Sequence, residues 1–240
     1  MIKLETHCHT LGGSTCATTP VNVIANVYKA AGYGAIVVTN HFNEYQLSLY
    51  PGKTRDEKLA FYFSLVREAE EAFAEAGIRT FFGAEIAINP EAEGYAEYMV
   101  YGLEKSHFYD NPPLYALTQK ELFKVVEDAG GFMYQTHPFR PNVVLGNPLY
   151  MHGAEAFNGH FHHDSRNELA EKFCEENGLV KMSGTDFHHD DQPVTAGILI
   201  PDEIADEAEL VKYIMSGKAE LIKNEKLYKT RLAEYFSATK

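Results

Sequence analysis

The chain has 240 residues and a formal net charge of −13, with 45% apolar and 23% charged residues, which is typical of globular proteins. This length fits one large α/β domain, so we predict a single domain over residues 1–240. No segment approaches the roughly 18 apolar residues of a membrane span, and residues 1–5 lack the basic start and apolar middle of a signal peptide, so the expected compartment is the cytoplasm. The negative charge disfavours a broad electrostatic grip on nucleic acid.

The first predicted strand, residues 2–10, carries His7 and His9 on one face, because side chains alternate along a strand. Neutral imidazole is a common ligand of zinc, iron and manganese, so this pair indicates a metal site. A surface pair without function would show the same spacing. However, four later strand ends also carry His, Asp or Glu.

A helix is predicted with Pro20 at its first position, followed by an apolar strand at residues 35–39. An almost wholly apolar run is expected for a strand that is buried on both faces. This strand delivers Asn40 and His41 at its carboxyl end. A third imidazole therefore reaches a strand end.

Thr54 and Glu57 have the spacing of a capping box, which predicts a helix to about residue 76. In the next strand, residues 78–88, Glu85 interrupts an apolar run. A buried carboxylate must be paired, protonated or coordinated to metal, and bridging two metals is a common use of such a group.

Residues 97–103 form the next predicted strand, and His107 follows it. A second capping box, at Thr118 and Glu121, starts a helix. The strand at residues 132–136 then presents His137, and the proline that comes next pushes the chain out of regular structure.

A short strand at residues 154–158 precedes a helix at 164–176, and the strand at residues 179–183 runs into Asp186 and His188. Residues 195–200 are predicted to add an edge strand, and the remainder is mostly helical. Polar residues therefore concentrate at the carboxyl ends of alternating strands, where the active sites of parallel α/β barrels lie.

Together these stretches resemble the PHP family of metal-dependent phosphoesterases, named for its polymerase and histidinol phosphatase members. The matching motifs are His7-Cys8-His9, Asn40-His41, Gly83-Ala84-Glu85, His137-Pro138 and Thr185-Asp186-Phe187-His188. The resemblance implies an α/β fold, a distorted TIM-like (β/α)7 barrel. The setting of His107 is nearest to the histidinol-phosphatase-like branch.

The resemblance also implies a set of metal ligands. The first metal would be held by His7, His9, Glu85 and Asp186, with Glu85 bridging to a second metal held by His137. His107 is the candidate to complete the second site, although other branches place this histidine within the preceding strand, near the position of Met99. A third site would use His41 and His188, and Cys16 falls near the position of a histidine that is absent here. A cysteine without a metal fits that position equally well. The implied cofactors are two to three divalent ions, either zinc, manganese or iron.

The residues around the ligands also receive roles from this resemblance. His41 or His188, when not committed to a third metal, would protonate the leaving oxygen as a metal-activated water attacks phosphorus. Arg140 would take phosphate oxygens in a bidentate fork, although a surface arginine is equally expected there. Glu5 would orient a ligand histidine.

Five further histidines receive no ligand role. His160, His162 and His163 follow Asn158, where the PHP family tends to place substrate-facing residues, but a solvated loop is the favoured interpretation. His152 and His189 are interpreted as structural residues. The three cysteines lack a disulfide framework and are predicted to be free thiols.

We therefore predict hydrolysis of a small phosphate monoester. The first alternative is an exonuclease or phosphodiesterase acting on nucleotides or short oligonucleotides. The others are a non-catalytic metal-binding module and a metal-dependent hydrolase of carbon–nitrogen bonds. No membrane partner is expected, and the sequence leaves the oligomeric state open.

Overall fold

A computed structural model describes residues 1–88, 95–110 and 112–239. The strands are β1 (Ile2–Cys8), β2 (Tyr33–Val38), β3 (His41–Phe42), β4 (Arg79–Ile88), β5 (Ala96–Tyr101), β6 (Phe132–Gln135), β7 (Gly153–Asn158), β8 (Val180–Gly184), β9 (Ala196–Ile200) and β10 (Glu220–Lys223). The helices are α1 (Val21–Ala30), α2 (Glu44–Leu49), α3 (Arg55–Glu75), α4 (Lys105–Tyr109), α5 (Gln119–Asp128), α6 (Asn167–Asn177), α7 (Glu207–Met215) and α8 (Glu225–Ala238). Every predicted strand is present, with ends that differ by no more than two residues.

Seven strands curve into a barrel in the order β1-β2-β4-β5-β6-β7-β8. The barrel closes where β8 and the residues after it return to β1. There Phe187 N donates to His7 O at 3.1 Å, and His9 N donates to Phe187 O at 3.0 Å. The predicted α/β fold, a distorted (β/α)7 barrel, is confirmed.

Strands β9 and β10 extend the sheet outward from β1 and run antiparallel to their neighbours. The prediction that residues 195–200 form an edge strand is wrong, because β9 lies between β1 and β10. Strand β10 forms the edge instead. The short strand β3 adds to β4 and places His41 opposite Glu85.

The distortion of the barrel lies in β5, which is antiparallel to both β4 and β6. Residues 89–95 are all that separates β4 from β5, and a parallel crossover needs a dozen or more residues. The regular alternation expected from the sequence therefore fails here. As a result, the start of β5 lies beside the carboxyl ends of its neighbours, and its own carboxyl end lies at the opposite rim.

Local signals set the helix ends. Both predicted capping boxes are confirmed, with Thr54 and Glu57 at the start of α3 and Thr118 and Glu121 at the start of α5. Helix α1 begins one residue later than predicted, at Val21. None of the described helices combines the length and apolar character that a membrane span requires.

Aromatic side chains fill the barrel beneath the histidines of β1. Tyr101 and Tyr134 are fully buried, and both donate hydrogen bonds to the carbonyl oxygen of Thr6. Because they come from β5 and β6, they hold the end of β1 from across the barrel. The backbone before His7 is therefore held in place by these packed aromatic side chains.

Glu5 is a buried carboxylate that ties the two ends of the barrel together. One oxygen accepts from the backbone N–H groups of Thr6, His7 and Thr185 at 2.8–2.9 Å, and the other accepts from Tyr28 Oη at 2.8 Å. Burial raises the pKa of Glu5 to about 7, although all four donors favour its charged form. This side chain therefore braces the backbone of His7 and makes no contact with a histidine ring.

We predict that Glu5→Ala lowers the free energy of unfolding by roughly 3 kcal/mol or more, because each buried donor left without an acceptor costs about 1–3 kcal/mol. Urea unfolding followed by circular dichroism, with chelator present so that metal binding does not contribute, measures the change. Glu5→Gln keeps the accepting oxygen and is the matched control. Equal losses in the two variants would contradict this role.

Candidate metal centre

The barrel brings most of the predicted site residues to one rim. His7, His9, His41, Glu85, His137, Asp186 and His188 form a continuous cluster there, and Arg140 lines the adjoining cavity. Strand alternation explains the first pair, since His7 and His9 point into the barrel while Cys8 packs outward in a hydrophobic cluster.

Glu85 lies at the centre of the cluster and is completely buried. Its Oε1 lies 3.4 Å from His7 Nε2 and 3.3 Å from His137 Nε2. Its Oε2 lies 3.3 Å from His9 Nε2 and 3.0 Å from His41 Nδ1. Burial raises its pKa, but His7 and His41 outweigh this effect and hold the pKa well below its usual range. Glu85 is thus a charged group shared by four imidazoles.

Asp186 faces the same histidines from the segment after β8. Its Oδ1 lies 3.3 Å from His7 Nε2, 3.5 Å from His9 Nε2 and 3.3 Å from His188 Nδ1. Burial opposes its charge, but His7 and His188 hold the pKa well below its usual range. The backbone of Asp186 has a φ of 54°, a left-handed conformation that costs energy in a residue other than glycine.

Glu97, at the start of β5, is a site residue that sequence reasoning missed. Its carboxylate lies 3.5 Å from His137 Nε2 and 3.7 Å from His41 Nδ1. Burial and the nearby charge of Glu85 raise its pKa. An acidic residue inside a predicted apolar strand was the available signal, as it was for Glu85.

His107 is not brought to this cluster. It lies in α4, beyond the carboxyl end of β5, where its Nδ1 contacts the backbone of Glu104 at 3.2 Å. Because β5 runs antiparallel to its neighbours, this segment emerges at the opposite rim of the barrel. The expectation that His107 completes a second metal site is therefore corrected, and Glu97 occupies the place beside His137.

Glu155 performs the role that was expected of Glu5. Its Oε1 accepts from His7 Nδ1 at 3.0 Å, which leaves His7 Nε2 free to face the cluster. Its Oε2 accepts from His137 N and from Asn158 Nδ2, both at 2.9 Å. One carboxylate therefore orients two of the site histidines.

The site opens into a cavity of about 220 Å³. Arg140, His160, His163 and His188 form part of its wall. The prediction of a solvated loop is wrong for His160 and His163, since only 8% of His160 and 14% of the His163 side chain are exposed. Both rings lie beside Asp186: His160 Nδ1 is 2.9 Å from its carbonyl oxygen, and His163 Nε2 is 3.8 Å from its carboxylate.

Three further residues have simpler settings. Cys16 is exposed and lines the cavity together with His41. Its role as a ligand of a third metal stays a prediction. His152 has the predicted structural role, since it accepts from Met133 N at 3.0 Å. His189 lines the cavity and contacts Thr18 Oγ1 at 2.9 Å.

The histidines of the site differ in how readily they take up a proton. Burial opposes protonation of His7 and His41, but the surrounding carboxylates raise both pKa values well above the usual range. At His188, burial and the neighbouring His9 lower the pKa well below that range. The carboxylates of the inner cluster therefore stabilise positive charge at His7 and His41.

The donor atoms fit divalent metal ions. An ion with tetrahedral bonds of about 2.1 Å holds its ligand atoms about 3.4 Å apart. His7 Nε2 and His9 Nε2 lie 3.0 Å apart, and each lies 3.3–3.5 Å from oxygens of Glu85 and Asp186. One oxygen each of Glu85 and Glu97 is buried without a hydrogen-bond donor in the described part of the chain. Metal ions would satisfy both oxygens.

Comparisons with known proteins agree with this architecture. No protein-family model matches the sequence, and no curated protein matches it. Solved structures do match. The chain shares 18% identity and a TM-score of 0.62 with a two-domain protein from Bacteroides vulgatus that contains a predicted PHP-like metal-dependent phosphoesterase, covering 98% of this chain and 69% of that one.

Two further solved structures share the fold of this chain. PsfC from Pseudomonas syringae gives a TM-score of 0.68 at 16% identity, covering 99% of this chain and 98% of that one. The lesion-specific endonuclease PfuEndoQ from Pyrococcus furiosus gives 0.58 at 12% identity, covering 92% of this chain and 57% of that one. At identities this low the comparisons show a shared fold, and the assignment to the histidinol-phosphatase branch stays a prediction.

We predict that Glu97→Ala retains about one metal ion fewer per chain than the wild type, because a carboxylate beside His137 is removed. His107→Ala should retain the full complement. Elemental analysis after saturation with manganese and gel filtration, on protein without a histidine tag, measures the content. Loss of an ion in His107→Ala with retention in Glu97→Ala would restore the ligand set inferred from the sequence.

Proposed function

We propose that this protein is a metal-dependent phosphoesterase that hydrolyses a small phosphate monoester. The observation that carries the proposal is the buried carboxylate of Glu85, which lies between four imidazole rings. Glu85 and Arg140 line the same cavity. The resemblance of the motifs to PHP phosphoesterases and the names of the structural neighbours support the same chemistry.

The ligands would be His7, His9, Glu85 and Asp186 for one ion, with His41, Glu97, His137 and His188 available to one or two more. Zinc, manganese and iron all suit such imidazole and carboxylate donors. When bound, these ions lower the pKa of a coordinated water towards about 7 and offset charge on the phosphoryl oxygens.

The chain itself would position and protonate the substrate. The guanidinium of Arg140 makes no ion pair within residues 1–88, 95–110 and 112–239, so it is available to phosphate oxygens in a bidentate fork. The His41 side chain is 16% exposed at the cavity, and His188 lies on its other side. A ring that no third metal holds would give a proton to the leaving oxygen, and the raised pKa of His41 suits this role better than the lowered pKa of His188.

A small ester fits this site better than a polynucleotide. The cavity of about 220 Å³ has room for a phosphate with a short substituent. The net charge of −13 disfavours a groove that tracks a nucleic acid backbone. A non-catalytic metal-binding module would have no need of a shared carboxylate beside an arginine that makes no ion pair with the described residues.

We predict metal-dependent hydrolysis of p-nitrophenyl phosphate that falls roughly 1,000-fold in Glu85→Ala, because bound metals supply several kcal/mol of transition-state stabilisation. Assays with added manganese, zinc or iron measure the rate, and His107→Ala is the control that should stay active. Absence of turnover with every metal, despite full metal content, would favour the binding module. Faster cleavage of a dinucleotide than of the monoester would favour the nuclease.

Arg140 offers a separate prediction about substrate binding. Arg140→Ala should raise KM about 10- to 100-fold, since a hydrogen bond to a charged group contributes about 1.5–3 kcal/mol. Arg140→Lys keeps the charge without the fork and should fall between the two. Steady-state kinetics with p-nitrophenyl phosphate measures KM. An unchanged KM in Arg140→Ala, with metal content intact, would remove Arg140 from the site.

A further inference from the structure

The cavity wall carries a tyrosine that the function proposed above does not use. Tyr95 directly precedes β5, lines the cavity and is half-buried. Its hydroxyl makes no hydrogen bond with the described residues of the chain. A tyrosine hydroxyl that is shielded from water usually has a hydrogen-bond partner. The hydroxyl of Tyr95 is therefore available to a molecule that enters the cavity.

The backbone fixes Tyr95 beside the segment that carries Arg140. Tyr95 O accepts from Val144 N at 2.8 Å, and Arg140 O accepts from Val143 N at 3.1 Å. Tyr95 and Val143 also form an isolated β-bridge. The turn that begins at Arg140 is thus attached to the backbone of Tyr95, and both side chains line the same cavity. Two groups that are distant in the sequence therefore share one wall.

Strand β5 also relates Tyr95 to Glu97. Residues two apart along extended backbone point to the same side, so Tyr95 faces the side on which Glu97 meets His137 and His41. One oxygen of Glu97 is nevertheless buried without a donor in the described part of the chain. The hydroxyl of Tyr95 is therefore not engaged by this neighbouring carboxylate.

The composition of the lining decides which ligand atoms suit this hydroxyl. Three carboxylates line the cavity, at Glu85, Glu97 and Asp186, and they repel an anion unless cations offset them. Arg140 and Tyr95 are donors that the described residues leave unused. A hydrogen bond from a phenol to a charged oxygen is shorter and stronger than one to a neutral oxygen. An oxyanion in the cavity would therefore meet two donors on the same wall.

We propose that the hydroxyl of Tyr95 donates a hydrogen bond to the phosphate group of the substrate, beside the guanidinium of Arg140. This inference rests on the proposed phosphoesterase function and adds a second residue to its phosphate-binding wall. Arg140 contributes a charged fork, and Tyr95 contributes a neutral donor whose position is set by β5.

A binding measurement tests this contact without the reaction. Calorimetric titration of the metal-loaded protein with methylphosphonate, which is not hydrolysed, gives Kd. Tyr95→Phe removes only the hydroxyl and should raise Kd about 10-fold, as expected for one hydrogen bond to a charged group. Tyr45→Phe removes a hydroxyl from an exposed tyrosine outside the cavity lining and should leave Kd unchanged. An unchanged Kd in Tyr95→Phe would overturn the proposal.

A second pair of variants separates direct contact from support of the arginine. If Tyr95 contacts the phosphate itself, Tyr95→Phe should still raise Kd when it is added to Arg140→Ala. If Tyr95 only positions the guanidinium, the double variant should bind methylphosphonate as Arg140→Ala does. That result would overturn the proposed contact.

The metal content of Tyr95→Phe excludes an effect through Glu97. We expect the full complement of ions, measured by elemental analysis after saturation with manganese and gel filtration. Loss of about one ion per chain, together with a higher Kd, would make Tyr95 a support for the carboxylate of Glu97 and would overturn its contact with phosphate.

Kinetics then distinguishes this inference from the proposed function. With p-nitrophenyl phosphate as substrate, Tyr95→Phe should raise KM by a factor similar to the change in Kd. If the wild type hydrolyses no ester but methylphosphonate binding still depends on Tyr95, the proposed function falls and the contact stands. If the wild type is active and Tyr95→Phe matches it in both KM and Kd, the contact falls and the function stands.

Discussion

The structure depends on one unfavourable placement, a carboxylate at Glu85 with no exposure to solvent. Burying such a charge costs several kcal/mol unless partners surround it, and here the partners are imidazoles from different strand ends. Two imidazoles come from β1 because alternation along a strand points both inward. The others, His41 and His137, follow β2 and β6. The closed barrel therefore brings histidines from distant parts of the chain around the carboxylate of Glu85.

Holding these side chains inward distorts the backbone at two of them. His137 has a φ of 29° and Asp186 a φ of 54°, and each such conformation costs about 1–3 kcal/mol. Hydrogen bonds compensate, since His137 N donates to Glu155 and the carbonyl oxygen of Asp186 lies near the rings of His160 and His188. Gly184 permits the close approach of β8, since a Cβ there would lie 2.5 Å from that of His7. Strain is thus concentrated where side chains must leave the strand direction.

The sequence predicted the parts of this site that are governed by local rules. Strand alternation indicated the pair on β1, and the apolar run around Glu85 indicated a buried, paired carboxylate. The direction of a strand is decided by its partners, and the regular alternation led to the expectation of a parallel β5. The family resemblance assigned His107 to the site, but the short connection before β5 was the signal for a reversal, which places His107 at the other rim and Glu97 beside His137. The sequence left the segment with His160 and His163 open and favoured a solvated loop, because the burial of a loop is decided by packing between distant parts of the chain.

The buried carboxylates also explain why the site presents acceptors. Glu155 takes hydrogen bonds from His7 Nδ1, from His137 N and from Asn158, and Asp186 takes another from the same amide. The hydrogen bond that His7 Nδ1 donates to Glu155 turns Nε2 of the same ring towards Glu85 and Asp186. The carboxylates that orient the ligand rings therefore also supply the negative charge that a proton or a metal ion at these rings would offset.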